Sequence, residues 1–244
     1  MIRYLARIAL TAGLLPAAAL AASDAAALDS MAQRVKPCIA CHGDEGRATP
    51  DGYFPRIAGK PAGYLYNQLL NFRDGRRSHA VMTYLLDRQS DAYLRAMAEH
   101  FAQLHPPYPA PPALDVSAAQ RARGETLVRR GDAARQLPAC AACHGETLTG
   151  MQPATPGLIG LPRDYLTAQL GAWQAGARRA ASPDCMATLA RRLTLEDLAA
   201  VTAWLATQPV PVDARPAPRG TNPLPMDCGD HAGPVASHAN GATP

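Results

Sequence analysis

The chain has 244 residues, a formal net charge of +4 and 48% hydrophobic residues, of which few are aromatic (5% of the chain). That length suits one large domain or two modest ones, and three Phe with two Trp leave two modest cores short of large rings, so something else must help fill them. The near-neutral charge, with Lys36 and Lys60 the only lysines and the arginines scattered, gives no case for nucleic acid.

Residues 1–21 read as an export signal. Arg3 and Arg7 open it, residues 8–20 are apolar but interrupted by Gly13 and Pro16, and Ala19-Leu20-Ala21 has the small-x-small form of a cleavage site. An uncleaved anchor is the competing reading, and the short, interrupted run argues against it. No Cys follows the apolar run, which argues against lipid attachment. The mature chain is expected outside the cytoplasm, most simply in a bacterial periplasm.

The first domain is expected over residues 22–105. A helix leads into KPCIACHG, with Cys38, Cys41 and His42 in the pattern CxxCH, and residues 140–144 repeat the pattern with Cys140, Cys143 and His144. A bare CxxC suits a redox dithiol, a cluster or half a zinc site. The His directly behind changes the reading: two thiols added to the porphyrin vinyl groups, with the next imidazole under the iron, make a c-type haem. With this chain's Cys and His content, a chance CxxCH is expected about four times in a thousand such chains, and two about once in a hundred thousand. Two covalent haems c are therefore expected, which also suits export.

The halves align beyond the motif. At an offset of 101, Pro55 falls on Pro156, Gly59 on Gly160, Pro61 on Pro162, Tyr64-Leu65 on Tyr165-Leu166, Gln68-Leu69 on Gln169-Leu170, Phe72 on Trp173, Gly75 on Gly176 and Arg77 on Arg178. In each half a helix should start near the second proline and end at the second glycine. A last helix should start at Ser90 or Thr194, the latter with a capping box to Asp197. Leu94, Met97, Ala98 and Phe101 share one apolar face there, as do Leu198, Val201, Thr202 and Leu205. No strand run is visible. Residues 106–116, with five prolines between 106 and 112, read as an extended linker. The second domain spans 117–208 and opens with Ser117 and Gln120 as a further capping box. Residues 209–244 are expected to form a Pro/Gly-rich tail with little regular structure, and the last fifteen residues are expected to lack fixed structure.

A haem with only His is open to ligands, whereas a Met on the other face closes it for electron transfer. Met82 and Met186 lie in what read as matching loops, 40 and 42 residues after His42 and His144. Met97 sits on a core face, and a lone Met is ordinarily core filler, but two in register in a duplicated frame point to axial ligands. His79 competes with Met82 in the first half. Arg77 and Arg178 are candidates for haem propionates, a guanidinium matching a carboxylate, although a cation at a helix end is also favourable by itself. Four of six Cys are used by the motifs. The remaining Cys185 and Cys228 suggest a disulfide in an exported protein, against the alternative of two free thiols or a link between molecules.

On the CxxCH pairs, the repeated P-x3-G-x-P-x2-YL-x2-QL runs, the Gly-x-Arg after each middle helix and the two Met, the chain resembles the diheme cytochromes c of the cytochrome c4 family over about residues 30–208. The resemblance implies an all-α fold of two tandem class I cytochrome c domains, each with one His/Met haem. It implies transfer of electrons from periplasmic or membrane-bound oxidoreductases, such as a dehydrogenase, to a terminal oxidase, with no small-molecule substrate and no enzyme activity of its own. An electron-transfer subunit of a periplasmic dehydrogenase complex is the alternative, and a haem enzyme, which needs an open site, is a third reading. Family members often carry Gln where Lys60 and Leu161 stand, and the tail with Cys228 departs from their pattern.

Overall fold

The computed structural model describes residues 30–232. The expected export signal at 1–21 and residues 233–244 of the tail lie outside them. Among the described residues, five helices lie in the first half: α1 Met31–Arg34, α2 Lys36–His42, α3 Ala62–Arg73, α4 Ala80–Leu86 and α5 Asp91–Ala102. Five more follow in the second: α6 Ala118–Arg129, α7 Cys140–His144, α8 Arg163–Gln174, α9 Cys185–Ala190 and α10 Leu195–Ala206.

The boundaries follow local chemistry. Pro61 and Pro162 occupy the N-cap positions of α3 and α8. Gly75 and Gly176, at φ +71° and +73°, supply the left-handed residue beyond each of these helices. Ser90 Oγ accepts the Tyr93 N–H at the start of α5, and Thr194 and Asp197 exchange both bonds of a capping box at α10. At α6 the Ser117 hydroxyl accepts the Gln120 N–H at 3.1 Å.

Two expectations need correction. A two-residue antiparallel ladder pairs β1 Gly150–Met151 with β2 Thr155–Pro156. Such short strands carry no alternation to read, and Gly150 owes its place to backbone: at φ +97°, its missing Cβ would lie 2.6 Å from Thr155 O. Met82 and Met186, expected in loops, sit in the first turns of α4 and α9. Helices of seven and six residues are too short for a 3.6-residue pattern to show.

Each half has its own core. Val35, Leu65, Phe72, Leu86, Leu94, Met97, Ala98 and Phe101 pack in the first, so the apolar face of α5 is buried as its spacing predicts. Leu127, Val128, Leu161, Leu166, Val201, Trp204 and Leu205 pack in the second. Helix α10 is covered by both α6 and α8. The α6 crossing runs through Gly124, whose Cβ would lie 2.3 Å from Ala200 O and 2.7 Å from Trp204 Cβ.

Residues 104–117 contain no helix or strand. The stretch is pinned to the first half by Arg56, which stacks 3.8 Å above the Tyr108 ring and donates to Pro106 O and Pro107 O. The tail has little regular structure, as expected, yet its described part is well anchored. Ala217 bonds Gly150 and Gln152, Arg215 O accepts from Thr149 Oγ1, and Asp230 O accepts from Asn67 of the first half. Asp230–Ala232, expected to lack fixed structure, belong to a short 3-10 turn over Gly229–Ala232. A disulfide joins Cys185 to Cys228. Among the described residues no helix is long and apolar enough to cross a membrane.

Candidate functional site

Both CxxCH motifs open onto one continuous cavity of about 910 Å³, at the upper end for a pocket that holds a single small ligand. Its wall includes Cys38, Cys41, His42 and Met82 from the first half and Cys140, Cys143, His144 and Met186 from the second. The duplication therefore converges on a shared interior.

The two imidazoles are held identically. His42 Nδ1 lies 2.8 Å from Pro55 O and His144 Nδ1 lies 2.7 Å from Pro156 O. A carbonyl only accepts, so in each neutral ring Nδ1 carries the proton and Nε2 keeps its lone pair for a metal. Burial favours that neutral form, pushing both histidines below their ordinary range against the opposing effect of the proline carbonyls. The nearby cations act in the same direction, Arg77 at His42 and Lys60 at His144.

Burial also raises the thiols, Cys140 up to about 12 and Cys38 and Cys143 in the same direction. The zinc reading needs the two CxxC pairs to converge as thiolates. No group of three or more His, Cys, Asp or Glu converges among the described residues.

His79, the sequence-level competitor of Met82, caps α4: its Nδ1 accepts the Met82 N–H at 3.5 Å. Asp184 caps α9 by accepting the Ala187 N–H at 2.9 Å, and it also accepts the Ala180 N–H. Both Met-bearing helices thus start from a side chain anchored just before the Met.

The arginines lie where the halves meet. Arg77 and Arg178 form an antiparallel bridge across a local twofold. Arg77 donates to Gln68 Oε1 (3.0 Å) and Gln169 Oε1 (2.8 Å), and Arg178 donates to Gln169 Oε1 (2.8 Å) and Gln68 Oε1 (2.9 Å). Each guanidinium covers an aromatic ring at the same repeat position, Arg77 over Phe72 at 4.5 Å and Arg178 over Trp173 at 3.7 Å. Arg178 is buried, and burial followed by the repulsion of Arg77 lowers its proton affinity.

Two observations test whether a carboxylate-bearing porphyrin fits. Arg56, Lys60 and Arg178 are buried on the cavity wall, which Arg77 also lines. Their acceptors are neutral: the Gln oxygens, Tyr165 OH, and the carbonyls of Ala58, Pro106, Pro107 and Gly157. Buried charge of this kind calls for an anion. Trp173 Nε1, also on the wall, is a buried donor without an acceptor. A ligand with carboxylates would answer both. Sequence reasoning missed Lys60 and Trp173 as site residues and left Gln68 and Gln169 as mere landmarks of the repeat. Their exact recurrence was the available signal for the two glutamines.

Comparison with known proteins identifies the family. Residues 121–209 match the family model described as "Cytochrome c". The chain is 40% identical over 176 residues to a "Thiosulfate dehydrogenase electron acceptor" of Thiomonas intermedia, covering 71% of this chain and 79% of that protein. It is 35% identical to a cytochrome c4 of Pseudomonas aeruginosa, covering 84% of this chain and 98% of that one. Among solved structures it resembles a thiosulfate dehydrogenase from Marichromatium purpuratum, with TM-score 0.63 and 36% identity over 71% of this chain. It spans only 36% of that longer chain. With covalently bound haem c implied by the motifs and matched by these relatives, the chain belongs to the cytochrome c4 family of electron-transfer proteins.

Proposed function

We propose that the chain is a periplasmic carrier with two haems c. Cys38 and Cys41 would hold one, with His42 and Met82 as its iron ligands, and Cys140 and Cys143 the other, with His144 and Met186. The observation that carries this reading is the single cavity, walled by both motifs and both Met, with each imidazole fixed at Nδ1 and its Nε2 left for iron. Bound haem supplies a one-electron couple, which a thioether ligand raises in potential. The chain's part is to hold the imidazoles neutral and oriented, to close the far face with Met, and to keep water from the interior. Arg77 and Arg178, bridged between the halves, are assigned to the propionates, with the Trp173 indole as a further donor. Residues 1–21 supply the export signal.

Its donor is a dehydrogenase, and the named relative in Thiomonas intermedia favours the acceptor of a thiosulfate dehydrogenase, as a partner or as a subunit of its complex. A terminal oxidase, reached at a membrane-bound complex, is the onward acceptor. A closed site separates this reading from a haem enzyme. The reduced protein should bind carbon monoxide slowly and incompletely, and rapid full binding at both haems would contradict a carrier.

A further inference from the structure

Lys60 breaks the pseudo-symmetry of the duplicated frame. Its counterpart at the same offset is Leu161, and the counterpart of its neighbour Arg56 is Gly157. Lys60 is only 5% exposed, and it does not serve its own half: its Nζ reaches to 3.5 Å from Gly157 O. Gly157 directly follows Pro156, whose carbonyl holds His144. A side chain from the first half therefore carries an ammonium to the proximal wall of the second haem site, while Leu161 returns no charge to the first. An ammonium has three donors, and among the described residues the backbone carbonyl of Gly157 is the acceptor it reaches. The charged group that bears on it is the Arg56 guanidinium, which repels it.

We propose that Lys60 is a positioning residue acting across the two halves: its buried charge stabilises the reduced form of the second haem and so sets how an electron divides between the two sites. The effect is Coulombic. Taking up one electron lowers the charge of a haem by one, so a fixed cation nearby favours uptake. A unit charge about 10 Å away at an effective dielectric of about 20 changes such an equilibrium roughly tenfold. Burial and Arg56 bring the Lys60 ammonium down to about 8, so it still carries its proton in most molecules at pH 7.

The inference rests on the two-haem reading, and the experiment separates the two. A potentiometric titration of the holoprotein at pH 7 is followed at both haems. Met186→His, which changes an axial ligand, identifies the wave of the second. Lys60→Met, a neutral residue of similar length, should shift the second wave by about tenfold in its equilibrium constant, or about 59 mV for one electron. The first wave should stay within about twofold. Lys60→Arg should restore most of the shift, which a packing role would not produce. Fluorescence melting confirms that each variant is folded. Fewer than two covalent haems by intact mass of the wild type would overturn the haem reading, and with it this inference. Two wild-type waves with the second unmoved in Lys60→Met, or with both moved equally, would overturn the role of Lys60 alone.

Discussion

Asp197→Asn should weaken the second half by about 2 kcal/mol at neutral pH, and the loss should fade in acid. The carboxylate side chain is 5% exposed and accepts from Arg135 Nη1 at 2.6 Å, Arg123 Nε at 2.8 Å and the Thr194 N–H at 3.2 Å. Burial alone would raise its pKa, but the two arginines and the cap outweigh that and bring it to about 2 from an ordinary value near 3.8. At about 1.4 kcal/mol per pH unit, that displacement is worth about 2 kcal/mol. Removing one partner of a fully buried pair costs about 3–5 kcal/mol. The arginines here are 31% and 39% exposed, which places the loss at or below the lower end of that range. Asn also keeps an acceptor for Thr194. Because the folded pKa is the lower one, the contribution is complete above the unfolded value and disappears as pH falls through the folded value. The gap between wild type and variant should be full above about pH 5, about half near pH 3 and small near pH 2. Urea unfolding by tryptophan fluorescence reads this half directly, since both tryptophans, Trp173 and Trp204, lie in it. A gap under about 0.5 kcal/mol at pH 7, or one equally large at pH 3, would refute the reasoning.

Two further substitutions probe the same half. Gly124→Ala gains about 1 kcal/mol of helix propensity but forces a methyl to within 2.3 Å of Ala200 O, so a net loss of about 2 kcal/mol is expected in the same urea assay, and a stabilised variant would show that α6 and α10 can separate cheaply. Cys228→Ser removes a bridge closing 43 residues, worth about 4 kcal/mol in the chain-entropy model. It should free the tail to limited proteolysis and weaken the Met186 share of the red charge-transfer band, while an unchanged band would show that the bridge does not steady α9.

What the sequence shows and what it hides divide along a physical line. The CxxCH pairs, the proline and glycine punctuation of α3 and α8, and the Thr194 box are local, so spacing alone locates them. The two arginines are visible as repeat partners, but their exchange with Gln68 and Gln169 across the twofold depends on how the halves dock. Lys60 is hidden for the same reason: Gly157 lies 97 residues away in the chain. The tail shows only its cysteine. Its anchors at Thr149, Gly150 and Asn67 are mostly backbone bonds, and backbone bonding leaves no compositional trace. The helical state of Met82 and Met186 was missed because a turn or two of helix has too few residues to display its period.

Electron transfer as proposed needs two haems c, each closed by its own Met. Intact mass of the denatured protein together with the red charge-transfer band of the oxidised protein, measured for wild type, Met82→Ala and Met186→Ala, tests it most directly. Two covalent haems are expected in all three proteins, with each variant losing its own part of the band and the potential falling at that haem alone. One haem in the wild type, or a band and potentials unchanged in either variant, would contradict it.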